Sequence, residues 1–181
     1  MAKTRLIPLL GDQGAADAHA ELVVRTLRHV GQWLSSARQD VDPGLATHRA
    51  VAQLWATSKT DEIIQWASLL DMSVEIQCAG DLGARMAHAT SAAFAQGHSR
   101  VLLIGTDCPT LNAEHLTQAG DLLGHHDVVF APAEDGGYGL IGLCKPHPEL
   151  FANMPWSTSD VLDTSLAVAR ENGLTVALTQ Q

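Results

Sequence analysis

The chain has 181 residues, 46% of them hydrophobic and 17% charged, and a formal net charge of −9. This length and composition suit one domain with a full core, spanning the whole chain, and exclude a disordered polypeptide. The acidic balance excludes broad nucleic-acid binding, which needs a basic face, and no apolar run reaches the roughly 18 residues of a membrane span.

The N-terminus, MAKTRLIPLLGDQG, opens on basic residues, but its apolar stretch is too short for a secretory signal. Cys78, Cys108 and Cys144 have no CxxC spacing and read as packing thiols in a reducing compartment, so the expected location is the cytoplasm. From residue 13 to about 37, Ala18, Leu22, Leu27, Val30 and Leu34 recur at helical spacing. A loop follows at residues 41–44, then a strand over 49–56, a short helix over 61–70 and a short strand over 73–77. Asp81 is a suitable cap for a helix over 82–96 that Gly97 closes. Residues 100–105 form a buried strand, and residues 112–123 a helix capped by Asn112. Strands over 127–131 and 138–143, a helix over 159–172 ended by Gly173, and a strand over 174–178 complete the chain. Alternating strands and helices predict an α/β fold with an open, mixed but mostly parallel sheet covered by helices on both faces.

Two apolar runs end in polar, glycine-bearing turns. VLLIGTDCPTL places Asp107 just past one strand, and DVVFAPAEDGGYGLIGL places Glu134 and Asp135 just past another. Ligands of α/β proteins bind at the carboxyl ends of strands, and right-handed crossovers bring such ends to one edge. Pro109 two residues on helps hold the first turn, and a carboxylate fixed there suits Mg²⁺ or Mn²⁺ bound together with substrate phosphates. Alternatively Asp107 caps the next helix, although Thr110 and Asn112 are better placed.

Gly136 and Gly137 permit positive φ and close backbone approach to a ligand; equally, Asp135–Gly136 suits a hairpin turn before Tyr138. Asp135 could ligate a metal or serve an acceptor hydroxyl. Lys3 and Arg5 are natural phosphate partners or a solvated tail, and Arg85, in the first turn of its helix, could reach a phosphate or pair with a carboxylate. Trp156 could stack on a base or sugar, or serve as a core or lid residue. No GxGxxG or GxxxxGK[ST] occurs, and the nine histidines lack metal-site spacing.

Together KTRLIPLLG, DLGARM, VLLIGTDCPTL, DVVFAPAEDGGYGLIGL and WSTSDVLDTSL resemble a bacterial family of arsenosugar-biosynthesis-type glycosyltransferases, also described as radical-SAM/selenodomain-associated transferases. That family lies in the nucleotide-diphospho-sugar transferase superfamily. The resemblance implies a GT-A-like, Rossmann-type fold, with Asp107 as the metal-binding acid. It implies that Lys3 and Arg5 close a donor-phosphate loop and that Arg85 and Asp135 line the same cleft. It also implies a nucleotide-sugar donor and a small-molecule acceptor; the acidic charge and the short apolar runs lead us to expect no nucleic-acid or membrane partner. Family members usually begin with a buried strand and a glycine- and proline-containing loop ahead of KTRL. Here Met1 stands almost directly before Lys3. The expectation is a sheet lacking its first, central strand, through a late start, a truncation or a degenerate fold without donor binding. The functional expectation is metal-dependent glycosyl transfer, with Asp135 and Glu134 serving the acceptor and Gly136, Gly137, Tyr138 and Trp156 lining the substrate site. Guanylyltransferase-like nucleotidyl transfer to a small phosphorylated metabolite and a non-catalytic remnant are the alternatives.

Overall fold

The computed structural model describes residues 7–39 and 50–180. Helix α1 (Ile7–Gln39) is broken at Gly11, whose φ of 70° and ψ of 174° leave the helical region. Its regular part therefore begins close to Gln13, where the apolar spacing places it. There follow β1 (Gln53–Ala56), α2 (Asp61–Ser68), β2 (Ser73–Ile76), α3 (Leu82–Ala95), β3 (Val101–Ile104) and α4 (Ala113–Leu122). The chain ends with β4 (Val128–Pro132), β5 (Tyr138–Leu143), a 3₁₀ turn at Pro148–Phe151, α5 (Val161–Glu171) and β6 (Val176–Leu178). The strand expected from Arg49 begins only at Gln53; Arg49 and the expected loop at 41–44 lie outside the described residues. No helix among the described residues is long and apolar enough to cross a membrane.

The predicted caps hold. Asp81 accepts from Ala84 N at 2.8 Å, and Asn112 accepts from Glu114 N and His115 N. His115 returns the contact through Nδ1 to Asn112 N at 3.4 Å, which closes a capping box with histidine in the place usually held by Glu or Gln.

The α/β class with an open mixed sheet is as expected, but the sheet is less parallel than expected. β1 pairs with β2 and β4 with β6 in parallel, whereas β5 pairs antiparallel with both β3 and β4. The cause is the tight β4–β5 turn, which can join only antiparallel strands. The described strands form two pieces, β1-β2 and β3-β5-β4-β6.

Alternate residues of the larger sheet enter two cores. Val129, Ala131 and Leu140 pack with Val30 and Leu34 of α1 and with Leu116 and Ala119 of α4. Val128, Phe130, Ile141 and Leu143 pack with Leu150, Phe151 and Ala169, joined by Met86 and Phe94 of α3. The period of two thus divides each strand between two helical layers.

A candidate active site at one sheet edge

Because β5 runs opposite to β3 and β4, the carboxyl ends of β3 and β4 meet the start of β5 at one edge. Gly105 N donates to Gly139 O at 3.0 Å, which ties the Asp107 turn to the first residues of β5. A Cβ at Gly139 would lie 2.6 Å from Cys108 Sγ, so this glycine makes the room that Cys108 occupies. The thiol is a packing element between the two turns. Asp107 is exposed, with Oδ1 folded back to 2.9 Å from where a Gly105 Cβ would stand. Since Asn112 caps α4, the helix does not use the Asp107 carboxylate as its cap.

The second acidic turn is a closed hairpin loop. Ala133 N donates to Gly137 O at 3.0 Å, Gly136 N to Ala133 O at 3.1 Å, and Gly137 N to Asp135 Oδ1 at 3.1 Å. Glu134 and Asp135 are both exposed. Gly136 has φ +83°, and a Cβ there would lie 2.1 Å from Ser159 O. Its carbonyl accepts from Leu162 N at 3.0 Å. The close approach that this glycine permits is therefore to the chain's own 157–160 segment. This also explains why α5 begins at Val161 and not at Ser159. Asp160 makes no side-chain cap, and the Gly136 carbonyl satisfies a first-turn N–H in its place.

Trp156 and Tyr138 lie beneath these turns. Their rings meet edge to face at 6.5 Å, and Tyr138 packs on Phe130 at 4.9 Å. Burial pushes the Tyr138 hydroxyl up to about 12, against the opposing effect of the neighbouring Ser165 hydroxyl. Neither Tyr138 Oη nor Trp156 Nε1 makes a well-formed hydrogen bond among the described residues. Trp156 Nε1 comes 2.9 Å from where a Gly83 Cβ would stand, which brings the DLGAR helix start to the same edge. Arg85 donates from Nε to Gly80 O at 3.1 Å and from Nη1 to Gln77 Oε1 at 3.4 Å. It braces the loop that leads into α3.

The structure thus gathers Asp107, Glu134, Asp135, Gly136, Gly137, Tyr138, Trp156 and the start of α3 with Arg85. Lys3 and Arg5 lie outside the described residues. The helix expected over 159–172 begins only at Val161, and residues 157–159 form an exposed hydroxyl-bearing lip in which Ser157 has φ +69°. The signal was present as three consecutive hydroxyl residues before Asp160. No group of three or more His, Cys, Asp and Glu side chains poised for a metal occurs among the described residues.

Residues 41–158 match a family described as "uncharacterized protein conserved in bacteria" (DUF2064). No curated protein matches the sequence. The fold is similar to the crystal structure of a proposed nucleotide-diphospho-sugar transferase from Desulfovibrio desulfuricans G20. The TM-score is 0.72 at 28% identity, over 99% of this chain and 74% of that one.

Proposed function

We infer the function from the premise that this chain belongs to the DUF2064 family of bacterial proteins: it is a metal-dependent transferase that uses a nucleotide-activated donor and passes a glycosyl group to a small acceptor. The observation that carries this reading is the meeting of the Asp107 turn and the Asp135 turn at one sheet edge, in a chain similar to a proposed nucleotide-diphospho-sugar transferase.

Asp107 would hold Mg²⁺ or Mn²⁺ together with the donor phosphates. The ion, when bound, neutralises charge on the leaving diphosphate. Lys3 and Arg5 would bind the phosphates, and so would Arg85, which among the described residues commits two of its five donors, to Gly80 O and Gln77 Oε1. Glu134 or the outer oxygen of Asp135 would orient or deprotonate the acceptor hydroxyl. Gly136, Gly137, Tyr138 and Trp156 would hold that carboxylate in place. The absence of paired cysteines suits action in the cytoplasm.

The test offers the protein, with Mg²⁺, a panel of nucleotide-sugars and nucleoside triphosphates, with product analysis by mass spectrometry. Release of a nucleoside diphosphate supports glycosyl transfer. Release of pyrophosphate moves the assignment to nucleotidyl transfer. Calorimetry with Asp107→Ala should show loss of metal-dependent donor binding with an unchanged fold; unchanged affinity would refute the role of Asp107. Absence of binding by any nucleotide would leave a non-catalytic remnant of the fold.

A further inference from the structure

Arg85 stands in the first turn of α3, where its backbone N–H donates to Asp81 O at 3.2 Å. A Cβ at Gly83 would meet the Phe151 carbonyl and the Trp156 indole, so this turn is pressed against the floor of the candidate site. The Arg85 side chain is half-buried and held at two nitrogens. Nε donates to Gly80 O at 3.1 Å and Nη1 to Gln77 Oε1 at 3.4 Å. A planar guanidinium anchored at two points cannot turn about either. The Gly80 contact belongs to the helix entry itself, whereas the Gln77 contact ties Arg85 to the end of β2.

Gln77 follows the last residue of β2, and its backbone N–H extends the β1–β2 ladder by donating to Ala56 O at 2.9 Å. Its side-chain amide is used at both ends. Nε2 donates to Trp55 O at 3.3 Å, and Oε1 accepts from Arg85. The two partners have opposite needs, because a carbonyl only accepts and a guanidinium only donates. The amide therefore has one orientation. An ionised Glu would offer Arg85 an oxygen but Trp55 O no donor, and Lys would do the reverse. Trp55 is itself fixed: it pairs in register with Glu75 of β2, and its ring meets His88 of α3 edge to face at 5.5 Å. The contacts close a circuit from β1 through Gln77 to Arg85 and back through His88 to β1.

We propose that Gln77 is a positioning residue for the donor diphosphate: its amide, locked between Trp55 O and Arg85, holds the Arg85 guanidinium in the orientation in which it meets the phosphates. This role rests on the transferase reading and adds to it a residue that touches no substrate. Arg85 is the basic residue of the described segments that meet at the site edge, so the direction of its charge matters more there than in a cleft lined with cations. A loose arginine loses rotamer freedom when it closes on an anion. One that is braced beforehand loses less, and the difference appears as affinity. Both ends of the brace lie in regular structure, Trp55 in β1 and Arg85 in α3, which suits a group that must be held in place.

Inorganic pyrophosphate with Mg²⁺ presents a diphosphate without base or sugar, and its binding is measured by calorimetry in a double-mutant cycle of Gln77→Met and Arg85→Lys. Gln77→Met keeps the length of the side chain and removes both of its hydrogen bonds. It should weaken binding about fivefold, the order of the freedom that one rotamer-rich side chain loses on binding. In the Arg85→Lys background it should weaken binding no further, whereas a merely structural role of Gln77 gives the same loss in both backgrounds. A second measurement needs no ligand. Rotation of the Arg85 guanidinium about its Nε–Cζ bond, followed by NMR, should be faster in Gln77→Met than in the wild type. It should be slow again in Gln77→Glu, which retains an oxygen for Nη1. Equal loss in both backgrounds, no loss in either, or rotation unchanged by Gln77→Met would overturn the positioning role. A wild type whose Arg85 rotation responds to Gln77 yet which binds no pyrophosphate would overturn the donor-phosphate reading on which the role depends, so the two failures are told apart.

Discussion

Gly136 meets two independent constraints, a backbone at φ +83° and a neighbouring carbonyl 2.1 Å from any added Cβ. Gly173 has φ +69° with open space around it, so it meets only the first. Left-handed backbone costs a non-glycine residue about 1–2 kcal/mol, and forced overpacking adds about 1–3 kcal/mol. Gly136→Ala should therefore lose about 3 kcal/mol and Gly173→Ala about 1 kcal/mol in urea unfolding. Equal losses would remove the steric role of Ser159. Asp127 is a residue-scale case of pH linkage. Its carboxylate accepts from Thr175 Oγ1 at 2.6 Å and Thr175 N at 2.9 Å. The Thr175 hydroxyl and then the Thr175 amide hold its carboxyl below the usual range. A lowered folded-state value gives stability that is present above the unfolded-state value, about 3.9, and is lost as pH falls through the folded-state value. The Tm difference between the wild type and Asp127→Asn should be constant from about pH 5 upward and shrink below about pH 4. A difference that grows on acidification would contradict the assignment.

At the scale of elements, α4 depends on a reciprocal cap. Asn112→Ala should cost about 1 kcal/mol in chemical denaturation, and His115→Ala less, because the Asn112 side chain satisfies two N–H groups without it. An effect of His115→Ala larger than that of Asn112→Ala would show that the histidine carries the cap. The positions of the helices were legible in the sequence because each has both an apolar period and a chemical stop or start, such as Asp81 with Gly97. The meeting of the acidic turns was legible too, because strand ends in an α/β fold share an edge. Three other features were not. The insertion of β5 between β3 and β4 depends on pairing partners, which period-two alternation does not specify. The exclusion of Ser159 from α5 depends on the Gly136 carbonyl, a contact between segments more than 20 residues apart. Gly139 accommodates Cys108 through another long-range contact, and a glycine in a strand pattern signals close approach without naming the partner.

For the molecule as a whole, charge matters most at the site edge. Asp81, Asp107, Glu134, Asp135 and Asp160 stand in the segments that meet there, with Arg85 as the basic residue of those same described segments. Such an edge repels an anionic diphosphate unless a cation intervenes. Chelation of divalent ions should therefore lower nucleotide-donor affinity by tenfold or more, the effect of about 1.4 kcal/mol, with calorimetry as the readout. Donor binding of equal strength in chelator would assign the neutralising role to protein side chains instead.

The hydrogen bond from Leu162 N to Gly136 O couples two parts of the chain mechanically. The acidic turn cannot swing open without either dragging α5 along or breaking its first hydrogen-bonded contact. That makes the turn a rigid post and leaves substrate entry to other segments. The Leu162 amide is consequently a built-in gauge of the post: its exchange with solvent tracks the turn's openings, although the amide itself belongs to a helix.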